Sequence, residues 1–108
     1  MEKASKAYFT DEEMKSILDL DSDYSDVKKL ESLSLSASDF LFKHTGYDYS
    51  ADTEKDPTAT DCATMFVKQR WYDTGETYNR DYDFTFGINA DIIILNESIY
   101  KEEHKDDP

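Results

Sequence analysis

The residues best suited to bind a cation form an acidic run between Asp19 and Asp26, which begins with carboxylates at alternate positions. A D-x-D-x-D pattern is typical of calcium-binding loops, where alternate carboxylates ligate the ion. Such a loop also requires glycine at its sixth position and a bidentate glutamate at its twelfth, but this chain has Tyr24 and Leu30 there. We therefore expect no metal site, and interpret the Asp and Ser residues as ending one helix and capping the next.

The side chains that nucleophilic or acid–base catalysis would need are few. Cys62 is the only cysteine, so an intrachain disulfide is excluded, and its place on an apolar helical face predicts a small buried hydrophobe. His44 and His104 lie far apart in sequence, and His44 is expected near a helix C-terminus, where a cation is favoured. The chain has no glycine-rich phosphate loop, no G-x-S-x-G and no H-E-x-x-H motif. We predict that the protein is not an enzyme and uses no metal or cofactor.

The net charge of −13 limits the possible partners. It argues against binding to a DNA backbone or to an anionic membrane, because Lys and Arg must supply those contacts. It fits a basic protein partner, a channel wall past which DNA slides, or a protein that mimics DNA. The sequence shows no secretory leader and no apolar run near the roughly 20 residues of a membrane helix. We therefore expect a soluble protein of the cell interior or of a particle.

The length of 108 residues suits one domain with a modest core. Apolar residues make up 38% of the chain, below the ~45–50% that is usual for globular domains. We therefore expect that a partner or self-association completes the burial of apolar surface.

The longest well-delimited segment is a predicted helix at residues 57–73, around which we expect the other elements to pack. Asp56 can cap its N-terminus, and Pro57 suits its first turn because the missing N–H is not needed there. Gly75 is expected to adopt a left-handed conformation and end the helix. The residues that share its apolar face at three- and four-residue spacing are Ala59, Cys62, Ala63, Phe66 and Arg70, widened by Val67 and Trp71.

A first short helix is predicted at residues 11–20. Thr10 and Glu13 have the spacing of a capping box, and Phe9 and Met14 that of a hydrophobic staple.

A second helix is predicted to begin within residues 22–25, to run to about Thr45 and to end at Gly46. Its stripe at three- and four-residue steps comprises Val27, Leu30, Leu33, Ala37, Phe40, Leu41 and His44. The alternating LSLSAS segment is also compatible with a strand, but the longer helical stripe favours a helix.

The C-terminal third is predicted to contain an extended segment followed by a last helix. Residues 47–55 have the composition of a loop, and Tyr82, Phe84 and Phe86 alternate with polar residues in a short strand or extended arm. Asn89 can cap a helix over residues 90–103, although three consecutive isoleucines keep a strand at residues 91–95 as the competing interpretation. The predicted inner face of this helix comprises Ile88, Ile92, Leu95 and Ile99, with Ile93, Ile94 and Tyr100 beside them.

The predicted fold is mainly α: a single domain over residues 1–108, built as a small bundle of about four helices with an extended arm or short strand between the third and fourth. Residues 1–8 are expected to be a flexible N-terminus and residues 101–108 a charged tail. The predicted core scaffold comprises Leu30, Leu33, Phe40, Phe66, Val67, Trp71, Ile92 and Leu95. The predicted interface residues, for self-association or for a partner, are Tyr78, Arg80, Tyr82, Phe84, Phe86, Ile99 and Tyr100.

Four segments in this order give the chain a family resemblance: a capped short helix (FTDEEMKSILDLD), a helix ending near an aromatic residue and glycine (FLFKHTGYDY), a helix leading into WYD (ATDCATMFVKQRWYD), and, after a variable arm, a last Ile/Leu helix (INADIIILNESIY). Over residues 9–100 the chain resembles the head–tail connector, or adaptor, proteins of tailed bacteriophages. The resemblance implies a homo-oligomeric ring, commonly a dodecamer, at the head–tail interface of the virion.

In that family the ring is a head-completion component that binds the portal, through which DNA packaging takes place, and extends the DNA channel. It offers a docking surface to a downstream stopper or tail-completion protein. Double-stranded DNA would pass through without sequence-specific binding, and an acidic wall would let it pass without sticking. The alternative is a small acidic phage-encoded binding protein, a DNA mimic or an inhibitor of a nucleic-acid-binding host protein. A mimic should present spaced rows of carboxylates, whereas a connector should present an apolar, aromatic surface.

Overall fold

Four α-helices account for most of residues 6–73 and 83–105, the part of the chain that the computed structural model describes. In chain order they are α1 (Asp11–Ile17), α2 (Val27–Thr45), α3 (Pro57–Tyr72) and α4 (Thr85–Glu103), with a short 3-10 helix (Tyr49–Ala51) between α2 and α3. The described ranges contain no β-strand. The predicted mainly α bundle of about four helices is therefore confirmed.

The N-termini of the first three helices are capped by side chains. Thr10 Oγ1 accepts from Glu13 N–H at 3.2 Å, and Glu13 Oε1 accepts from Thr10 N–H at 2.9 Å, which is the predicted capping box. The Asp26 carboxylate accepts from an amide of the first turn of α2, and Asp56 does so for α3. Each cap satisfies an N–H that has no partner within the helix.

The end of α1 and the start of α2 differ from the prediction. Helix α1 ends at Ile17 rather than near residue 20, and Asp19 has a φ of 56°, so the chain has already turned out of the helix there. Helix α2 begins at Val27, later than the predicted start within residues 22–25, because Asp26 is the residue whose side chain reaches the first-turn amides. At its other end, Gly46 takes the predicted left-handed conformation with a φ of 77°.

The serine-rich part of α2 is helical, so the strand interpretation of LSLSAS is wrong. One of its serines, Ser34, hydrogen-bonds to the backbone of the segment that precedes α1. Ser34 is fully buried; its Oγ accepts from Phe9 N–H at 2.7 Å and donates to Phe9 O at 3.1 Å. Tyr8, which the sequence placed in the flexible N-terminal segment, is also buried, and its hydroxyl is 2.7 Å from Thr60 Oγ1 on α3. The ordered core therefore begins before α1.

Helix α3 lies against both α2 and α4 and supplies the centre of the core. It ends at Tyr72, followed by Asp73 in an extended conformation; Gly75, the predicted terminator, lies outside the described residues. Arg70, predicted on the apolar face, is exposed with its guanidinium 5.0 Å from the centre of the Phe66 ring. The buried residues of α3 are Ala59, Cys62, Ala63, Phe66 and Val67.

Helix α4 begins at Thr85, so the predicted start at Ala90 and the cap at Asn89 are wrong. Asp83 Oδ1 accepts from both the amide and the hydroxyl of Thr85, at 3.1 and 2.6 Å, and this favours an earlier helix start. Phe86, predicted in an extended segment, is therefore helical. Residues 91–95 are helical too, which excludes a strand there, and the helix continues through residues 101–103 of the predicted tail. Residues 74–82, most of the predicted arm, lie outside the described part.

The predicted core scaffold occupies the interior. Its buried members are Leu30, Phe66, Val67 and Leu95. Its partly buried members, which pack against the core, are Leu33, Phe40, Trp71 and Ile92. Within the described ranges, no helix combines the length and hydropathy needed to cross a bilayer.

Candidate protein-docking surface

Helix α4 is tied to the rest of the protein by two hydrogen bonds, one just before its first residue and one past its middle. Near its N-terminus, Gln69 Oε1 on α3 accepts from Phe84 N–H at 2.7 Å. Further along, Asn96 Nδ2 donates to His44 O, at the end of α2, at 3.1 Å. Side chains of α3 and α4 thus satisfy backbone groups at the ends of neighbouring helices that have no partner within them. These contacts fix the orientation of α4.

The inner face of α4 is the one predicted from sequence. Ile88 and Leu95 are buried, and Ile92 and Ile99 are partly buried against the core. The spacing of four, three and four residues puts them on one side of the helix. Phe84, just before the helix, also packs against the core.

The outer face of α4 carries a second apolar row. Phe86, Ile93 and Tyr100 are 89%, 66% and 62% exposed, and they are seven residues apart. Seven residues are nearly two helical turns, so the three side chains form a line about 21 Å long. We call Phe86, Ile93 and Tyr100 the outer stripe, and half-exposed Ile94 lies beside it.

The C-terminal end of the outer stripe, at Tyr100, is ordered by contacts with nearby residues. The Tyr100 ring stacks on His104 with the ring centres 4.0 Å apart. Lys101 pairs with Glu97 across one turn, at 3.0 Å. Exposed i,i+4 pairs of this kind contribute only a few tenths of a kcal/mol, so they orient side chains more than they stabilise the fold.

The predicted interface residues are only partly brought together. Phe86 and Tyr100 share the outer stripe, whereas Phe84 and Ile99 are turned toward the core, and Tyr78, Arg80 and Tyr82 lie outside the described residues. Ile93 was not among the predicted interface residues. Its position seven residues from both Phe86 and Tyr100 was the signal that could have found it.

Two titratable groups between α3 and α4, Cys62 and Asp91, have raised pKa values. Burial, followed by the charge of Asp91, raises the pKa of the Cys62 thiol to about 12, so it stays protonated at neutral pH. Burial also raises the pKa of Asp91 to about 6, with further contributions from its hydrogen bond to Asp61 and from the charge of Asp61. Among the described residues, no cluster of His, Cys, Asp or Glu is arranged to hold a metal ion.

Comparisons of the chain with protein-family models, with curated proteins and with solved structures find no match.

Proposed function

We propose that this chain is a structural adaptor that docks on other protein surfaces through the outer stripe, and that it serves as a head–tail connector of a tailed bacteriophage. The outer stripe is the observation that supports this proposal. Contiguous exposed apolar side chains, aromatic ones above all, are characteristic of protein interfaces. Because hydrogen bonds at Phe84 and Asn96 tie α4 to α3 and α2, the helix presents the stripe on an ordered support, which lowers the entropic cost of docking.

In this proposal, copies of the chain form a ring in the virion, commonly dodecameric, between the portal of the head and the next head-completion or tail protein. The ring extends the channel through which DNA passes. The net charge of −13 supports this role, because an acidic wall repels the phosphate backbone and gives DNA no adhesive surface. The apolar content of 38% supports it as well, since assembly would bury apolar surface that a single copy leaves exposed.

The alternative, a small acidic protein that mimics DNA, is favoured only by the net charge. A mimic works through carboxylates on its surface, and an exposed row of Phe, Ile and Tyr would not imitate a phosphate backbone. The outer stripe therefore favours the adaptor over the mimic.

The test combines the purified protein with the portal protein encoded in the same genome. We expect negative-stain images to show rings seated on the portal for the wild type and for Leu35→Ser, which alters an apolar residue of α2 that is 38% exposed. We expect no rings for the double variant Phe86→Ser/Ile93→Ser. Circular dichroism should show that all three proteins are equally helical.

Two results would contradict the proposal. The first is a wild type that does not associate with the portal at any salt or protein concentration. The second is an equal loss of association in Leu35→Ser and in the double variant. A stable monomer that displaces DNA from a nucleic-acid-binding enzyme would favour the mimic instead.

A further inference from the structure

A second surface feature lies where the loop after α2, the start of α3 and the last turns of α4 meet. It is a cleft of about 570 Å³, within the roughly 300–1,000 Å³ typical of binding clefts. Its apolar and aromatic lining includes Tyr47, Tyr49, Pro57 and Ile99. Its charged lining comprises the carboxylates of Asp52, Glu54, Asp56, Glu102 and Glu103 and the ammonium of Lys55. We call this feature the acidic cleft.

Lys55, the single lysine that lines the acidic cleft, makes hydrogen bonds within the protein. Lys55 Nζ donates to the backbone oxygens of Ser50 and Asp52, at 3.1 and 2.7 Å. The same atom lies 5.8 Å from the centre of the buried Tyr8 ring. It is thus held by the loop, and its single positive charge leaves the five carboxylates of the cleft in excess.

The carboxylates divide into engaged and available groups. Asp56 caps α3, Asp52 accepts from the Tyr47 hydroxyl at 2.8 Å, and Glu102 pairs with Lys105 at 2.9 Å. Glu54 and Glu103 have no ion-pair partner within residues 6–73 and 83–105. These two carboxylates, one from the loop and one from α4, are available to a ligand.

The two tyrosines add aromatic surface in the same negative environment. The Tyr47 and Tyr49 rings are 4.6 Å apart at an angle of 56°, and Tyr47 is 44% exposed. Burial, followed by the charge of Asp56, raises the pKa of Tyr49 to about 12. The hydrogen bond to Asp52 and its charge raise the pKa of Tyr47. The carboxylates thus disfavour a further negative charge here, and by the same electrostatics they favour a cation.

We propose that the acidic cleft binds an arginine side chain presented by a partner protein. A guanidinium can stack on a tyrosine ring and at the same time donate in a bidentate manner to a carboxylate. Tyr47 supplies an exposed ring, and Glu54 and Glu103 supply the carboxylates. A basic partner also complements the net charge of −13. The proposal does not rest on the connector function.

The experiment uses the full chain, labelled with nitrogen-15, and a hexa-arginine peptide as the probe. The matched control peptide is hexa-citrulline, which keeps the size and planarity of the side chain and some of its N–H donors but lacks the charge. In about 150 mM salt, where long-range charge effects are screened, we expect hexa-arginine to shift the amide resonances of Tyr47, Glu54 and Ile99. Hexa-citrulline should leave them unchanged.

Two charge-matched variants decide whether the effect is local. We expect Glu54→Gln/Glu103→Gln to weaken hexa-arginine binding at least tenfold. Glu12→Gln/Glu31→Gln, which removes two exposed carboxylates of α1 and α2, should change it less than twofold. We expect Tyr47→Ala to weaken binding several-fold without unfolding the protein, because this ring is half exposed.

Three results would overturn the proposal: no binding of hexa-arginine, equal weakening in the two double variants, or equal binding of hexa-citrulline. If concentrating the protein alone shifts the same resonances, the cleft is occupied by a second copy, and the proposal is also overturned. None of these results depends on whether the chain assembles on a portal.

Discussion

Helices α3 and α4 are similar in length and both are rich in apolar residues, but they use them in opposite ways. In α3 the apolar residues turn inward, and the aromatic Phe66 is buried against Phe40 with the ring centres 4.9 Å apart. In α4 only one row turns inward, and Phe86, Ile93 and Tyr100 face outward. The apolar content of a helix therefore does not by itself measure what the helix contributes to the core. Its neighbours decide which rows are covered.

The difference follows from the position of each helix in the bundle. Helix α3 packs against both α2 and α4 and buries the side chains of Ala59, Cys62, Ala63, Phe66 and Val67, whereas α4 buries only those of Ile88 and Leu95. The residues of α4 that contact the core belong to a single stripe, and the opposite side has no neighbour among the described elements. Helix α3 is thus a scaffold completed within one chain, whereas under the proposed adaptor function a second protein covers the outer face of α4.

The largest expected effect compares the same substitution on the two helices. Phe66→Ala should lower the free energy of unfolding by about 3–5 kcal/mol, because it removes a buried aromatic ring and leaves a cavity. Phe86→Ala should change it by less than about 0.5 kcal/mol, since the ring is already in water. Urea unfolding followed by circular dichroism measures both. Equal losses for the two variants would contradict the comparison.

An intermediate effect is expected at the contact between α2 and the N-terminal segment. Ser34→Ala removes a buried hydroxyl that hydrogen-bonds to both the N–H and the C=O of Phe9. The substitution should lower the free energy of unfolding by about 1–3 kcal/mol. Ser36→Ala is the matched control: its exposed hydroxyl only donates to Ser32 O within the helix, at 3.0 Å, and its removal should be nearly neutral or slightly stabilising. The midpoint of thermal unfolding should fall clearly only for the first variant. A fall of the same size for Ser36→Ala would show that the loss comes from helix propensity.

The smallest effect concerns the polar contact between α3 and α4 and depends on pH. The folded pKa of Asp91, about 6, lies above its unfolded value, so folding favours the neutral carboxyl. The folded state therefore loses stability as the pH rises through the interval between the two values, and the full penalty is present at neutral pH. Asp91→Asn should stabilise the protein at about pH 7.5, by about 1 kcal/mol after allowance for solvent screening, and by less at about pH 5.

The control for this prediction is Asp23→Asn at an exposed position of the loop between α1 and α2. It removes the same charge from a highly acidic chain without touching the contact between α3 and α4. A gain of equal size and equal pH dependence in this control would assign the effect to the overall net charge.

The sequence predicted much of the fold from local signals. The capping box of Thr10 and Glu13, the Asp56 cap of α3 and the Gly46 terminator of α2 all act within a few residues, so the pattern alone located them. The inner stripe of α4 was also predicted, because a helix that packs on one side must repeat every three or four residues. The start of α4 was mispredicted because Asn89 is a good cap in isolation. The local pattern around Asn89 does not reveal that Gln69 on α3 accepts a hydrogen bond from Phe84 N–H.

For the candidate docking surface, the sequence determined less and the tertiary structure determined more. Composition and charge alone determined that the chain is acidic, that its apolar content is low for a globular domain, and that 14% of its residues are aromatic. Only the tertiary structure decided which aromatics remain outside. It turned Phe84 and Ile99 inward, left Phe86, Ile93 and Tyr100 outward, and brought Tyr47 next to the end of α4. Burial depends on which elements meet in space, and a row of apolar residues on a helix does not reveal whether another helix covers it.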